Sequence, residues 1–108
     1  METCLIYMTT GGKDEAKLIG KALVSARLAA CVNIIENMSS MYMWDGKLQD
    51  DKETILIAKT TQERVPDLIE KAKVLHSYDC PCIVSLPVSD GNPEFLKWIA
   101  DEVQPRPV

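Results

Sequence analysis

A single histidine, a single phenylalanine and no surplus of positive charge mark this 108-residue chain. Twelve Lys and Arg stand against sixteen Asp and Glu, a net charge of −4 with a pI near 4.9. Binding a phosphate backbone needs a basic field, so this balance argues against nucleic acid and anionic membranes as partners. The aromatic signature of RNA-binding sheets is missing as well. No apolar run approaches the ~18–20 residues of a bilayer-spanning helix, so no membrane insertion is expected. The opening METCLIYMTT has no basic leader and no small-residue cleavage pattern, so no secretory signal is expected either. The implied compartment is the cytoplasm, where Cys4, Cys31, Cys80 and Cys82 stay reduced. P-loop, G-x-S-x-G, H-E-x-x-H and G-x-G-x-x-G patterns are all absent. With one histidine and no recognisable base–nucleophile arrangement, no enzymatic reaction is expected.

What is present suits one globular domain over 1–108, long enough to bury a core without disulfide staples. Thr3 to Thr9 is apolar on both alternating faces, as in a central strand covered on both sides. Thr10-Gly11-Gly12 breaks it, and Asp14 and Glu15 fall where a helix N-terminus favours acids. Ala16, Ile19, Leu23, Ala26 and Ala30 recur at helical spacing and predict one helix of about four turns.

Cys31 to Trp44 then reads as a strand far longer than the usual ~5–6 residues. Glu36-Asn37 and Ser39-Ser40 interrupt its apolar pattern and predict a bend or bulge. Asp45-Gly46 is a hairpin turn, and the partner strand covers about Lys47 to Thr61, polar outside and apolar inside. Thr60 and Glu63 have capping-box spacing ahead of a second helix carrying Val65, Leu68, Ile69, Ala72 and Leu75. Cys82 to Val88 is a short strand, with Pro87 at an edge or bulge. Asn92-Pro93-Glu94 starts a third helix, which Pro105 and Pro107 end. The order β-α-β-β-α-β with right-handed crossovers predicts an α+β, ferredoxin-like sandwich with an extra C-terminal helix. Its helices cover one sheet face, and association of subunits is the natural cover for the other.

The segments RLAACVNI, MYMWDGK, KETILIAKTT, LHSYDCPCI and FLKWI together resemble the CutA family of divalent-cation tolerance proteins, in order along the chain. The resemblance implies a tight homotrimer in which long hairpins extend each sheet onto its neighbours. It also implies a cytoplasmic, non-enzymatic role in metal tolerance, with copper or another divalent ion as ligand. The architecture is similar to trimeric PII signalling proteins too, which leaves a second reading: a regulator binding a small anion or partner protein at intersubunit clefts. The chain departs from the family at His76-Ser77-Tyr78, where H-P-Y is common, and at Cys82, where an acid or small apolar residue is usual.

The candidate metal ligands are Cys31, His76 and Cys82. A thiolate suits copper or zinc, yet free cysteine is as often a small buried hydrophobe. His76 ends the second helix, where it either complements the dipole or ligates. Cys80-Pro81-Cys82 is a C-x-C pair, closer than usual zinc spacing, and alternation along a strand is expected to disfavour chelation by it. Tyr42, Trp44, Glu53, Lys59, Tyr78 and Asp79 form a polar-aromatic set, expected either to line an intersubunit cleft with His76 and Cys31 or to anchor the trimer. Lys59 lies inside an apolar strand, so an acidic partner is expected, Glu53 or Asp79 of a neighbour.

Overall fold

Two strands and a tight turn account for the most extended part of the molecule. A computed structural model describes residues 2–105; Pro107, expected to help end the third helix, lies outside the described residues. The elements are β1 (Thr3–Thr10), α1 (Lys13–Ser25), β2 (Cys31–Trp44), β3 (Lys47–Thr61), α2 (Val65–Leu75), β4 (Ile83–Pro87) and α3 (Pro93–Glu102), with a 3-10 turn (Gln62–Arg64) before α2. The sheet runs β2-β3-β1-β4, with every neighbouring pair antiparallel. Pro87 sits on an edge strand, where its missing N–H costs no ladder bond.

Residues of one parity on β1 and β3 (Cys4, Ile6, Met8, Leu56 and Ala58) pack under α1 and α2 against Ala16, Ile19, Leu23, Leu68 and Ala72. Gly20 belongs to this contact: a Cβ there would lie 2.9 Å from Val32 Cγ2. The other parity forms a second face with Leu5, Tyr7, Ile55 and Ile57 half-buried. Ile35, Val84 and Leu86 on that face are 49%, 48% and 48% exposed. Phe95 of α3 reaches one end of it, with Lys59 Nζ 5.9 Å from the ring centroid.

Two expectations about helix boundaries change. The first helix stops at Ser25, because Arg27 takes φ 59° and the N–H groups of Leu28 and Ala29 turn back to the Leu23 carbonyl. A residue in the left-handed region ends a helix by satisfying its last carbonyls this way. Ala30 therefore leaves the helix and packs with Ile99 and Val103. Thr60 does not cap a helix: it stays in β3, buried, and its hydroxyl donates to the Leu28 carbonyl at 2.7 Å.

The hairpin turn has φ 50° at Asp45 and 74° at Gly46, the two positive values that match the twist of flanking strands. The interruption in β2 is a bulge at Glu36-Asn37, where the register shifts between Ile35 and Met38 and Asn37 adopts φ 63°. Ser39 and Ser40 pair regularly with Lys52 and Asp51, so the irregularity does not extend to them. Before the bulge Ile35 faces Ile55; after it Met38 faces Glu53, one residue out of step. Side chains alternate strictly along a strand, so one extra residue swaps the faces of everything beyond it. Tyr42 and Trp44 thereby join the side of the sheet that carries Tyr7, whose hydroxyl lies 3.4 Å from Met38 Sδ.

Candidate functional site

The flipped arm and the loop after α2 enclose an open cleft of about 690 Å³. Tyr42, Trp44 and Glu53 from the hairpin face Tyr78, Asp79 and Cys82 from the loop, with Thr9 at the base. Six of the residues singled out in the sequence thus meet in one place. Gln49, Asp51, Lys52 and Cys80 complete the lining.

The cleft is tied by tyrosine–carboxylate bonds. The Tyr42 hydroxyl donates to Asp51 Oδ2 at 2.8 Å, and the Tyr78 hydroxyl to Glu53 Oε2 at 2.9 Å. The bond to Asp51 holds the Tyr42 phenol above its ordinary range, helped by the charges of Asp51 and Glu53. Burial, then the Glu53 bond and charge, push the Tyr78 phenol up much further. Lys52, at the rim, turns to Ser39 Oγ at 3.2 Å. With Asp51, Glu53 and Asp79 in the wall, the cleft attracts cations and repels small anions.

The loop is positioned from behind by Glu15. Its Oε1 accepts from Gly11 N–H and its Oε2 from Ser77 N–H, each at 2.8 Å. Partial burial disfavours its charge, but the hydrogen bonds from Ser77 and Gly11, with His76 nearby, prevail and hold the carboxyl below its ordinary range. In the sequence Glu15 stands out only for its place at the helix dipole; the Ser in His76-Ser77-Tyr78 is the available signal, since a proline there has no N–H to give.

The His76 side chain is fully buried. Its Nε2 lies 2.8 Å from the Thr9 carbonyl, which only accepts, so Nε2 carries the hydrogen. Its Nδ1 accepts from Tyr78 N–H at 3.1 Å, leaving no lone pair for a metal. His76 supports the cleft from behind, through Tyr78 and Thr9, and is not part of the wall. Cys31 is half-buried opposite Lys59. It lies four residues, about 13 Å of strand, from Ile35, the last regular pair before the cleft. Cys31, His76 and Cys82 therefore do not fit one metal centre within a chain. Among the described residues no group of three or more His, Cys, Asp or Glu is placed to hold an ion.

Lys59 also lies away from the cleft, donating to Asn33 Oδ1 at 2.6 Å beside Phe95. Within the chain its partner is an amide rather than Glu53 or Asp79. Neither Lys59 nor His76, the two residues of the expected small-anion site, is in the wall of this cleft.

The fold and site define a ferredoxin-like subunit whose long hairpin walls an acidic, aromatic cleft. Residues 4–102 match the family described as CutA1 divalent ion tolerance protein, and the chain belongs to that family. It is 43% identical over 97 residues to the divalent-cation tolerance protein CutA of Thermus thermophilus, covering 90% of this chain and 94% of the relative. It is 42% identical over 97 residues to a CutA homolog of Xenopus laevis, covering 90% of this chain but 64% of that longer relative. A solved structure of the Thermus thermophilus divalent cation tolerance protein superposes with a TM-score of 0.91 at 42% identity, covering 93% of this chain and 97% of that one.

Proposed function

We propose that the chain acts as a non-enzymatic homotrimer in the tolerance of divalent cations, in a reducing compartment, the cytoplasm being the expectation from its sequence. One observation carries the assembly: the second sheet face presents Ile35, Val84 and Leu86 about half-exposed around half-buried Leu5, Tyr7, Ile55 and Ile57. An apolar sheet face of this kind is ordinarily covered by another layer. The arm supports the same reading, since the radius of gyration is 14.6 Å against about 13 Å for a compact domain of this length. The number three follows from the family.

The cation part of the reading rests on family membership and on the acidic wall of the cleft. Copper binding at Cys31, His76 and Cys82 together finds no support in the geometry of one chain, so the function is proposed without a resident centre built from those three. Light scattering is the test of assembly. The expected mass is three times the 12.0 kDa of one chain, and a monomer overturns the reading. Copper(II) titration of the wild type against Cys31→Ser and His76→Ala tests the ligand set. Equal affinity in all three is the expected result.

A further inference from the structure

The side chains of Cys80 and Cys82 have no part in the core, and both residues are exposed on the wall of the cleft. We propose that these two thiols form a site for a soft, two-coordinate d10 cation, of which monovalent copper is the type. The proposal stands on a single chain and does not depend on the trimer.

The backbone between them is set by proline chemistry. Pro81 fixes its own φ and drives Cys80 toward an extended conformation. In extended chain, neighbours point to opposite sides and residues two apart to the same side. The alternation expected to disfavour chelation therefore favours it for this pair, and both residues do line the same cleft. The segment is also held at its ends. The Cys82 carbonyl accepts from Thr9 N–H at 3.3 Å, and Tyr78 is fastened to Glu53. A pre-positioned pair of ligands loses little freedom on binding.

Distance and ligand number select the ion. Residues two apart in extended chain have Cα atoms about 6.6 Å apart. A metal with sulfur at about 2.3 Å on each side spans about 4.6 Å, within reach of two side chains on one side. A direct disulfide requires the sulfurs to close to about 2.05 Å with a restricted torsion, a tighter demand on a Pro-constrained segment. No third His, Cys, Asp or Glu is placed to complete a larger ligand set among the described residues, which disfavours tetrahedral zinc and oxygen-seeking magnesium or calcium. Thiolates select soft ions such as Cu(I). Binding releases two thiol protons to solvent, forms two metal–sulfur bonds and transfers no electron. The other thiols are poorer candidates: Cys4 is buried with its Sγ 3.2 Å from Gln62 Oε1, and Cys31 sits within the sheet opposite Lys59.

The test is an anaerobic titration of the reduced full chain with Cu(I), in competition with a chromogenic Cu(I) chelator. One Cu(I) per chain is expected, with two sulfur neighbours in its X-ray absorption spectrum. Cys80→Ser or Cys82→Ser alone should lower affinity about a hundredfold, the gain that linking two ligands supplies. Cys31→Ser should leave it unchanged, and melting temperatures should match the wild type in all three. Undiminished binding by the Cys80→Ser/Cys82→Ser variant, loss of binding in Cys31→Ser, or no uptake by the wild type overturns the site. Any of these with the trimeric mass intact leaves the assembly reading standing, and a monomer that binds Cu(I) through the pair overturns only the assembly.

Discussion

Glu15, in the first turn of α1, accepts the backbone N–H of Ser77 at 2.8 Å and so joins the start of one helix to the loop beyond another. Its second oxygen takes the Gly11 N–H, so one carboxylate ties both segments that flank His76 and the cleft. Family members with proline at the Ser77 position have no such donor. This chain replaces a fixed φ with a charge-assisted hydrogen bond, and the loop becomes sensitive to the state of Glu15.

Glu15→Gln should therefore lower stability by about 1–2 kcal/mol near neutral pH, because charge-assisted bonds exceed neutral ones. The folded carboxyl titrates below its ordinary value of 4.5, so its contribution is complete above that pH and is lost as pH falls through the folded pKa. Urea unfolding of both proteins from pH 7 to pH 3 checks this. The gap between the two curves should narrow in acid, and a constant gap would show that charge plays no part.

Tyr78→Phe removes the donor to Glu53 and should cost about 1 kcal/mol. Because burial and Glu53 raise the phenol above 10, the wild type holds this proton more tightly folded than unfolded. That stability is complete below pH 10 and is lost as pH rises through the folded pKa. Spectrophotometric titration should show Tyr78 among the last phenols to ionise. Phenylalanine should abolish that late step.

Gly20→Ala puts a methyl group 2.9 Å from Val32 Cγ2 at the packed contact of α1 with β2. Overpacking of this kind costs typically ~1–3 kcal/mol. Val32→Ala alone should also destabilise, by leaving a gap, whereas the double substitution should be less harmful than the sum of the two. A double-mutant cycle in denaturant measures the coupling. Simple additivity would mean that the helix shifts away instead.

Val84→Asp places a charge on the exposed part of the second sheet face without touching the α1–α2 core. Sedimentation should show smaller species for the variant, while far-ultraviolet circular dichroism shows the fold unchanged. Retention of the full assembly would mean that subunits meet elsewhere.

Much of this fold was legible because strong punctuation bounds it. Asp45-Gly46 and the apolar run before it delimited β2 and β3 without tertiary information. The end of α1 was not legible, since Ala26 and Ala30 keep helical spacing and nothing in the composition announces a positive φ at Arg27. The site divided the same way. Tyr42, Trp44, Glu53, Tyr78, Asp79 and Cys82 do converge, but His76 spends both ring nitrogens on backbone groups, and Lys59 pairs with Asn33. Such commitments depend on which carbonyl or amide lies opposite a side chain, and spacing along the chain does not encode that. Cys80 is not among the ligands expected from the sequence, although residues two apart on an extended segment share a side.

The extra residue at Glu36-Asn37 sets an odd–even rule for the arm. Beyond it, the membership of each wall depends on whether the count of residues from the bulge is odd or even. Losing one residue from the bulge would restore regular pairing and leave Tyr42 opposite Gln49 and still toward the cleft, whereas losing both would turn Tyr42 and Trp44 outward and bring Met41 and Met43 to the cleft. Loss of one residue at the bulge should therefore be tolerated and loss of two penalised. A cassette of deletions at Glu36-Asn37 should separate accordingly, with single deletions retaining the cleft and the double deletion losing it.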